Sequence, residues 1–129
     1  MGGSRKKVVL FYLLLLLFHT AHILEEVWAG FRPVGKYFSM ETFIILNLTL
    51  YAVPLAFFYF YLLNKKWAYY ISLAYAYLMI LNGAVHNIAT IVTGKYFGGF
   101  AGGFSGIGLI IFGVPLIYYL RKDKKENIR

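Results

Sequence analysis

Cysteine is absent from this chain of 129 residues, and acidic side chains are scarce. Without cysteine there is no disulfide framework, no thiol nucleophile and no Cys-ligated zinc or iron–sulfur cluster. Only five residues are Asp or Glu, and charged residues make up 14 % of the chain, against roughly 25 % in soluble domains. Hydrophobic residues account for 60 % and the mean hydropathy is +0.66. The composition therefore argues against a soluble enzyme or a disordered tail and indicates an integral membrane protein.

Thirteen basic residues give the chain a formal net charge of +8. Proteins that read nucleic acid grooves carry their basic residues in a stripe on a polar face, and this sequence has no such stripe. We therefore expect no nucleic-acid partner. Basic residues that flank apolar segments are instead typical of proteins oriented in a membrane, where they also attract anionic lipid.

Four apolar runs are long enough to cross a bilayer core of about 30 Å, which requires about 20 residues per helix. They cover residues 8–28, 42–63, 67–93 and 97–120, and a basic tail follows over 121–129. The runs are continuous and do not alternate with a period of two, which argues against membrane strands. The sequence therefore predicts an all-α fold, with one membrane domain over 1–129 that forms a four-transmembrane-helix bundle.

The basic residues divide unequally between the two sides of such a bundle. Ten of the 13 lie at the termini or between the second and third spans, namely Arg5, Lys6, Lys7, Lys65, Lys66, Arg121, Lys122, Lys124, Lys125 and Arg129. Only Arg32, Lys36 and Lys95 fall on the other side. The positive-inside rule then places both termini in the cytoplasm. We expect a multi-pass protein of a prokaryotic-type plasma membrane, surrounded by membrane lipid.

Glycine is concentrated in the fourth predicted span. Seven of the 13 glycines lie there, namely Gly98, Gly99, Gly102, Gly103, Gly106, Gly108 and Gly113. Several of them are four residues apart, a spacing that lets the backbone of another helix approach closely. The pattern predicts tight helix packing within the chain, and a homo-oligomer through this Gly-rich span is the alternative.

The ionisable residues inside the predicted spans carry the functional information. All three histidines, His19, His22 and His86, lie within spans, and Glu25 and Glu26 end the first one. A charged group inside a membrane costs about 2.5–3.5 kcal/mol on insertion scales, so such groups usually face a bundle interior and serve function. At 100° per residue, the four ionisable residues of the first span fall within one arc of about 120°.

A second polar cluster lies on the third span, where Asn82 and His86 are one helical turn apart. With a rise of about 1.5 Å per residue, His22 lies about 22 Å above Lys7, and Asn82 lies about 24 Å above Lys66. The polar clusters of the first and third spans are therefore expected to meet at one depth, in the outer half of the membrane.

Two short motifs in these spans resemble those of a known family. Residues 22–26 read H-x-x-E-E, and residues 82–86 read N-x-x-x-H. Together, on the first and third of four spans, they resemble the HXXEE-domain family of small integral membrane proteins, whose biochemical function is unassigned. The resemblance covers most of the chain, and it implies a functional centre built from His22, Glu25, Glu26, Asn82 and His86.

The residue types of this centre favour a metal site. His22, Glu26 and His86 supply two imidazoles and one carboxylate, the ligand set of catalytic zinc and of non-haem iron. We expect one divalent ion, zinc or iron, with Glu25, Glu26 and Asn82 in catalytic or orienting roles. The preferred function is metal-dependent chemistry on a hydrophobic or lipid-like substrate, as in a membrane metalloenzyme.

Two other functions remain open from the sequence. Imidazole beside carboxylate also suits a metal-free acid–base isomerase of a lipid or sterol-like substrate. The same groups suit a proton relay in a proton-coupled transporter, a channel or an accessory subunit. His19 is expected to hydrogen-bond a neighbouring carbonyl, and Glu41 to be a helix-start charge favoured by the dipole. The sequence does not decide whether His19 or Glu41 joins the centre.

Overall fold

A computed structural model of the protein describes residues 2–28, 39–94 and 105–127. These residues form four α-helices and no strand: α1 (Gly3–Trp28), α2 (Met40–Leu62), α3 (Lys66–Thr93) and α4 (Ser105–Asn127). Each helix is long and apolar enough to span a membrane. The predicted all-α fold with four membrane-spanning helices is therefore confirmed.

The helices extend beyond the predicted spans at the basic ends. α1 starts at Gly3 rather than at residue 8, and α4 continues to Asn127 through most of the predicted tail. Lys, Arg and Glu are good helix formers, and Lys124 and Lys125 in the last turn of α4 complement the negative end of the helix dipole. Residues 97–104 of the predicted fourth span lie outside the described residues.

Local sequence signals set the ends of α2 and α3. The Ser39 hydroxyl accepts a hydrogen bond from the Thr42 backbone N–H at 3.1 Å, as an N-cap does. After α2, Asn64 adopts a left-handed conformation with φ 58°, which asparagine tolerates, and its N–H donates to the Tyr61 carbonyl. α3 ends at Gly94, which is also left-handed with φ 64°. The tight turn at Asn64 makes α2 and α3 antiparallel neighbours.

α4 lies between α1 and α3 and makes the most extensive helix contacts in the bundle with both of them. α2 packs mainly against α3 and exposes most of its length. Its outward side chains are chiefly apolar, with Ile45, Leu48 and Leu50 more than half exposed. In a bilayer, this surface faces lipid hydrocarbon.

Glycine permits the close packing of α4. A Cβ added to Gly83 of α3 would collide with the carbonyl oxygen of Gly106 of α4, so the two backbones touch at this point. Gly108 packs beneath the Phe18 ring of α1 in the same way. These described glycines serve contacts within the chain. Residues 98–103 lie outside the described ranges, so the homo-oligomer stays a prediction.

The interior is filled by aromatic and aliphatic side chains from all four helices. The buried apolar residues that contact one another are Val8, Tyr12, Leu15, Leu16, Tyr61, Ala68, Tyr69, Tyr75, Ala76, Leu109, Leu116 and Leu120. Tyr12 also donates a hydrogen bond of 3.1 Å to the Pro54 carbonyl, which joins α1 to α2. A buried tyrosine needs such a partner because its hydroxyl is costly to desolvate.

Polar contacts join three helices at the basic end of the bundle. The Arg5 guanidinium donates to the carbonyls of Tyr61 and Leu62 at 3.1 and 2.8 Å, which caps the last turn of α2. The Tyr61 hydroxyl donates to the buried Asp123 carboxylate of α4 at 2.5 Å. The start of α1, the α2–α3 turn and the end of α4 therefore share one end of the bundle. The positive-inside rule predicts that this end is cytoplasmic.

We predict that Gly83→Ala destabilises the bundle by about 1–3 kcal/mol, because the added methyl group must displace backbone rather than a flexible side chain. The measurement is thermal unfolding in detergent. Gly3→Ala is the matched control, since nothing lies within 4 Å of a Cβ at that helical glycine. Equal melting temperatures for the two variants would contradict the assigned contact.

The absence of cysteine makes the predicted orientation directly testable by single-cysteine labelling. A membrane-impermeant maleimide added to intact cells is expected to label Glu41→Cys, at the exposed start of α2. It should label Lys65→Cys and Lys125→Cys, at the basic end, only after permeabilisation. The reverse pattern would show that the basic end faces outward.

Candidate metal centre

Three ionisable side chains from two helices meet inside the bundle. His22 and Glu26 are four residues apart on α1, which places them on one face, and His86 comes from α3. The Glu26 Oε1 atom lies 3.5 Å from His22 Nε2 and 3.4 Å from His86 Nε2. Among the described residues, this is the one group of His and acidic side chains whose ligand atoms converge, all within 4.8 Å of one another.

These distances suit the coordination of one small divalent ion. A tetrahedral site with bonds of 2.0–2.1 Å separates its ligand atoms by about 3.3 Å. The two nitrogen-to-oxygen distances of 3.5 and 3.4 Å are close to that separation. The imidazole rings lie edge to face with centroids 4.6 Å apart, so they present their Nε2 edges without stacking. The ligand atoms of the two histidines lie within 4.8 Å of one another, so this pair must approach by up to about 1.5 Å to complete a tetrahedral set.

The group is buried, although its members are polar. His22 is 1 % exposed, His86 is 3 % exposed and the Glu26 side chain is 13 % exposed. The buried Nε2 atom of His22 has no hydrogen-bond partner among the described residues. Buried polar atoms in folded proteins are normally satisfied, so this nitrogen points to a ligand that accepts its lone pair.

Ser105, in the first turn of α4, orients the other side of the His22 ring. Its Oγ lies 3.1 Å from His22 Nδ1, and it donates a short hydrogen bond to the Glu25 carboxylate. The Ser105 backbone N–H also donates to Glu25, at 3.2 Å. Because the hydroxyl proton is directed to Glu25, Oγ is left to accept the Nδ1–H of His22. That tautomer presents Nε2 to Glu26, as in metal sites where a second group fixes the histidine ring.

The structure separates the two adjacent glutamates into different roles. Glu26 points to the two imidazoles, whereas Glu25 binds the amino end of α4 through Ser105. A carboxylate at this end of a helix is favoured by the dipole. Glu25 therefore acts on the group through Ser105 and His22, and its predicted catalytic role stays a prediction.

The remaining predicted residues lie around the group. Asn82 is half-buried on α3, one turn before His86 and on the same face. His19 lies one turn before His22, and its Nδ1 atom is 3.1 Å from the Tyr75 hydroxyl, a side-chain partner in place of the expected carbonyl. Glu41 is exposed in the first turn of α2, as expected for a helix-start charge. The converging group is thus His22, Glu26 and His86, without His19 or Glu41.

Sequence reasoning missed Ser105. It lies 83 positions from His22 and 80 from Glu25 in the chain, and no local motif marks it. Its one signal is its position: a serine that follows the glycine-rich stretch at the amino end of the fourth helix. Only the packing of α4 against α1 brings its hydroxyl to the histidine.

Comparisons with known proteins return no relative. No family model matches the chain, no curated protein matches it, and no solved structure matches it. The resemblance to the HXXEE-domain family therefore stays a prediction based on the two motifs.

We predict that Ser105→Ala weakens Co²⁺ binding by about 10–100-fold, the usual cost of losing a group that orients a metal-binding histidine. The measurement is an optical titration of purified protein in detergent. Ser72→Ala, which alters a buried serine of α3, is the matched control and should bind as wild type does. Equal affinities for the Ser105 and Ser72 variants would rule out the orienting role.

Proposed function

We propose that this membrane protein binds one divalent metal ion, zinc or iron, through His22, Glu26 and His86, and that it uses the ion in chemistry on a hydrophobic or lipid-like substrate. The observation that supports the proposal is the convergence of two imidazoles and one carboxylate from two helices within 4.8 Å. Two observations add to it: Ser105 Oγ lies beside His22 Nδ1, and the buried His22 Nε2 has no hydrogen-bond partner among the described residues.

The ligand set determines what chemistry is available. Three protein ligands leave coordination positions open, and a bound ion would supply a Lewis acid or an activated water at them. The chain's own contribution is positional. Ser105 orients the His22 ring so that its Nε2 atom faces Glu26. The low exposure of His22 and His86 excludes bulk water from their side of the site.

The location of the centre favours a substrate that dissolves in the membrane. All three ligands lie within helices long and apolar enough to span a bilayer. Between His22 and Glu26 the helix surface turns outward at Leu24, which is 63 % exposed and faces the region of lipid. A molecule that reaches this depth from the side must cross hydrocarbon, which excludes strongly charged solutes.

One specific observation supports a metal-free alternative. The Glu26 Oε1 atom is almost equidistant from the Nε2 atoms of His22 and His86, so a proton could pass between the carboxylate and either imidazole. That geometry suits acid–base isomerisation of a lipid or sterol-like substrate. A proton relay in a transporter would use the same contacts.

Metal analysis of the purified protein tests the proposal. We expect about one equivalent of zinc or iron in wild-type protein prepared without chelators, and a loss of affinity above about 100-fold in His22→Ala and His86→Ala, because each removes a direct ligand. Elemental analysis and Co²⁺ titration give the stoichiometry and the affinity. His19→Ala is the matched control, since His19 lies on the same helix and bonds Tyr75 instead.

The outcomes separate the alternatives. Metal that persists unchanged in both ligand variants would show that the ion binds elsewhere. Wild-type protein that neither retains nor binds a divalent ion would remove the metal proposal. A folded, metal-free protein that loses proton flux in liposomes on Glu26→Gln would then support the relay.

A further inference from the structure

A groove of about 320 Å³ lies between α2 and α3, apart from the metal ligands. It extends along α2 from Asn47 to Phe57, which corresponds to about 15 Å of helix. Its walls are mainly apolar, and several lining residues open to the outside of the bundle, including Leu50, Val53 and Leu78, which are 56, 43 and 60 % exposed. The groove therefore opens sideways, to the region that lipid hydrocarbon occupies.

The groove lies in the middle of α2 and in the first half of α3, away from the helix ends. Asn47 is about 10 Å from the start of α2, and Phe57 is about 8 Å from its end. Lipid headgroups and water at the membrane surfaces are thus distant from most of it. A hydrocarbon chain is the occupant that these walls and this depth suit.

The end of the groove nearest the metal centre carries polar groups. His19 of α1 lines it, and since Nδ1 faces the Tyr75 hydroxyl, Nε2 is the ring atom left for a ligand. Asn47 donates from Nδ2 to the Phe43 carbonyl, which leaves its amide oxygen as an acceptor. Both side chains line the groove.

Proline adds a further acceptor. Pro54 lies inside α2 and has no backbone N–H, so it cannot donate to the Leu50 carbonyl one turn earlier. Both residues line the groove. In a membrane, where no water substitutes, such a carbonyl favours a ligand that donates a hydrogen bond.

The charge of the lining restricts the ligand's head. Among the described residues that line the groove there is no Lys, Arg, Asp or Glu. A phosphate or carboxylate head would remain uncompensated there, whereas a hydroxyl could donate to Asn47 or the Leu50 carbonyl and accept from His19.

We propose that the α2–α3 groove binds a neutral, single-chain lipid alcohol, with its hydrocarbon chain between α2 and α3 and its hydroxyl at His19 and Asn47. The hydroxyl then lies about one turn, or about 4.5 Å of helix rise, from His22. The binding depends only on the groove. Its identification as the substrate's binding mode rests on the proposed metal-dependent function.

Photolabelling tests the groove in vesicles of phosphatidylcholine. The probe is a long-chain primary alcohol with a diazirine at mid-chain, compared with the alkane and the fatty acid that carry the same diazirine. We expect the alcohol to label α2 and α3 peptides of the groove about fivefold more than either comparator, the factor given by one neutral hydrogen bond. Equal labelling by all three, or stronger labelling by the acid, would overturn the proposal.

Matched variants locate the site. Val53→Trp fills the groove and should abolish labelling, whereas Val85→Trp, an exposed valine of α3 outside it, should not change labelling. Ala74→Leu gives a second, smaller filling change if Val53→Trp unfolds. His19→Ala should reduce alcohol labelling to the level of the alkane. Undiminished labelling in folded Val53→Trp or Ala74→Leu protein would place the lipid elsewhere.

The two proposals fail separately. Labelling should persist in Glu26→Gln and after treatment with a chelator, because none of the metal ligands lines the groove. Preferential labelling of wild-type protein that binds no divalent ion when one is supplied would overturn the metal proposal and leave the groove proposal standing. Metal binding without preferential labelling by the alcohol would overturn the groove proposal and leave the metal proposal standing.

Discussion

The backbone contact between Gly83 of α3 and Gly106 of α4 is the constraint on which the rest of this structure depends. Apolar side chains in a bilayer gain little by facing one another instead of lipid, so helices associate where small residues allow close approach. Here a single Cβ would separate the two backbones. Gly106 follows Ser105 directly, and Gly83 lies one turn before His86. The same contact therefore sets the level of both residues, and with it the level at which α1 must present its polar side chains.

The buried polar groups form a set in which each member is positioned by another helix. Glu26 lies between imidazoles of α1 and α3, and Ser105 of α4 lies between His22 and Glu25. Such a set is costly to bury unless each polar atom has a hydrogen-bond partner, and the low polarity around it strengthens each of these contacts. Among the described residues, the buried His22 Nε2 atom has no hydrogen-bond partner. The proposed metal ion would bind at this atom.

One helix serves two sites because of its periodicity. His19 and His22 are separated by three residues, which is most of a turn, so the two rings diverge by about 60° around α1. His22 faces α3 and α4, whereas His19 faces Tyr75 and the groove between α2 and α3. A lipid alcohol in the groove and a metal ion at His22 would thus be neighbours without sharing a ligand. Pro54 contributes to the same arrangement. It has no backbone N–H to donate to the Leu50 carbonyl, on the helix face that the lipid would contact.

The sequence by itself determined the number and type of helices, because a bilayer demands about 20 apolar residues per span and a fully hydrogen-bonded backbone. It also determined that His22 and Glu26 share a face, since helix geometry alone requires this. The depths of the two clusters also predicted His86 as the third member. Only the tertiary structure decided how closely His86 approaches Glu26 and that Ser105 contacts His22. Those contacts depend on how far α3 and α4 rotate and slide against α1. That placement is set by packing between residues far apart in the chain, above all by the backbone contact of Gly83 with Gly106.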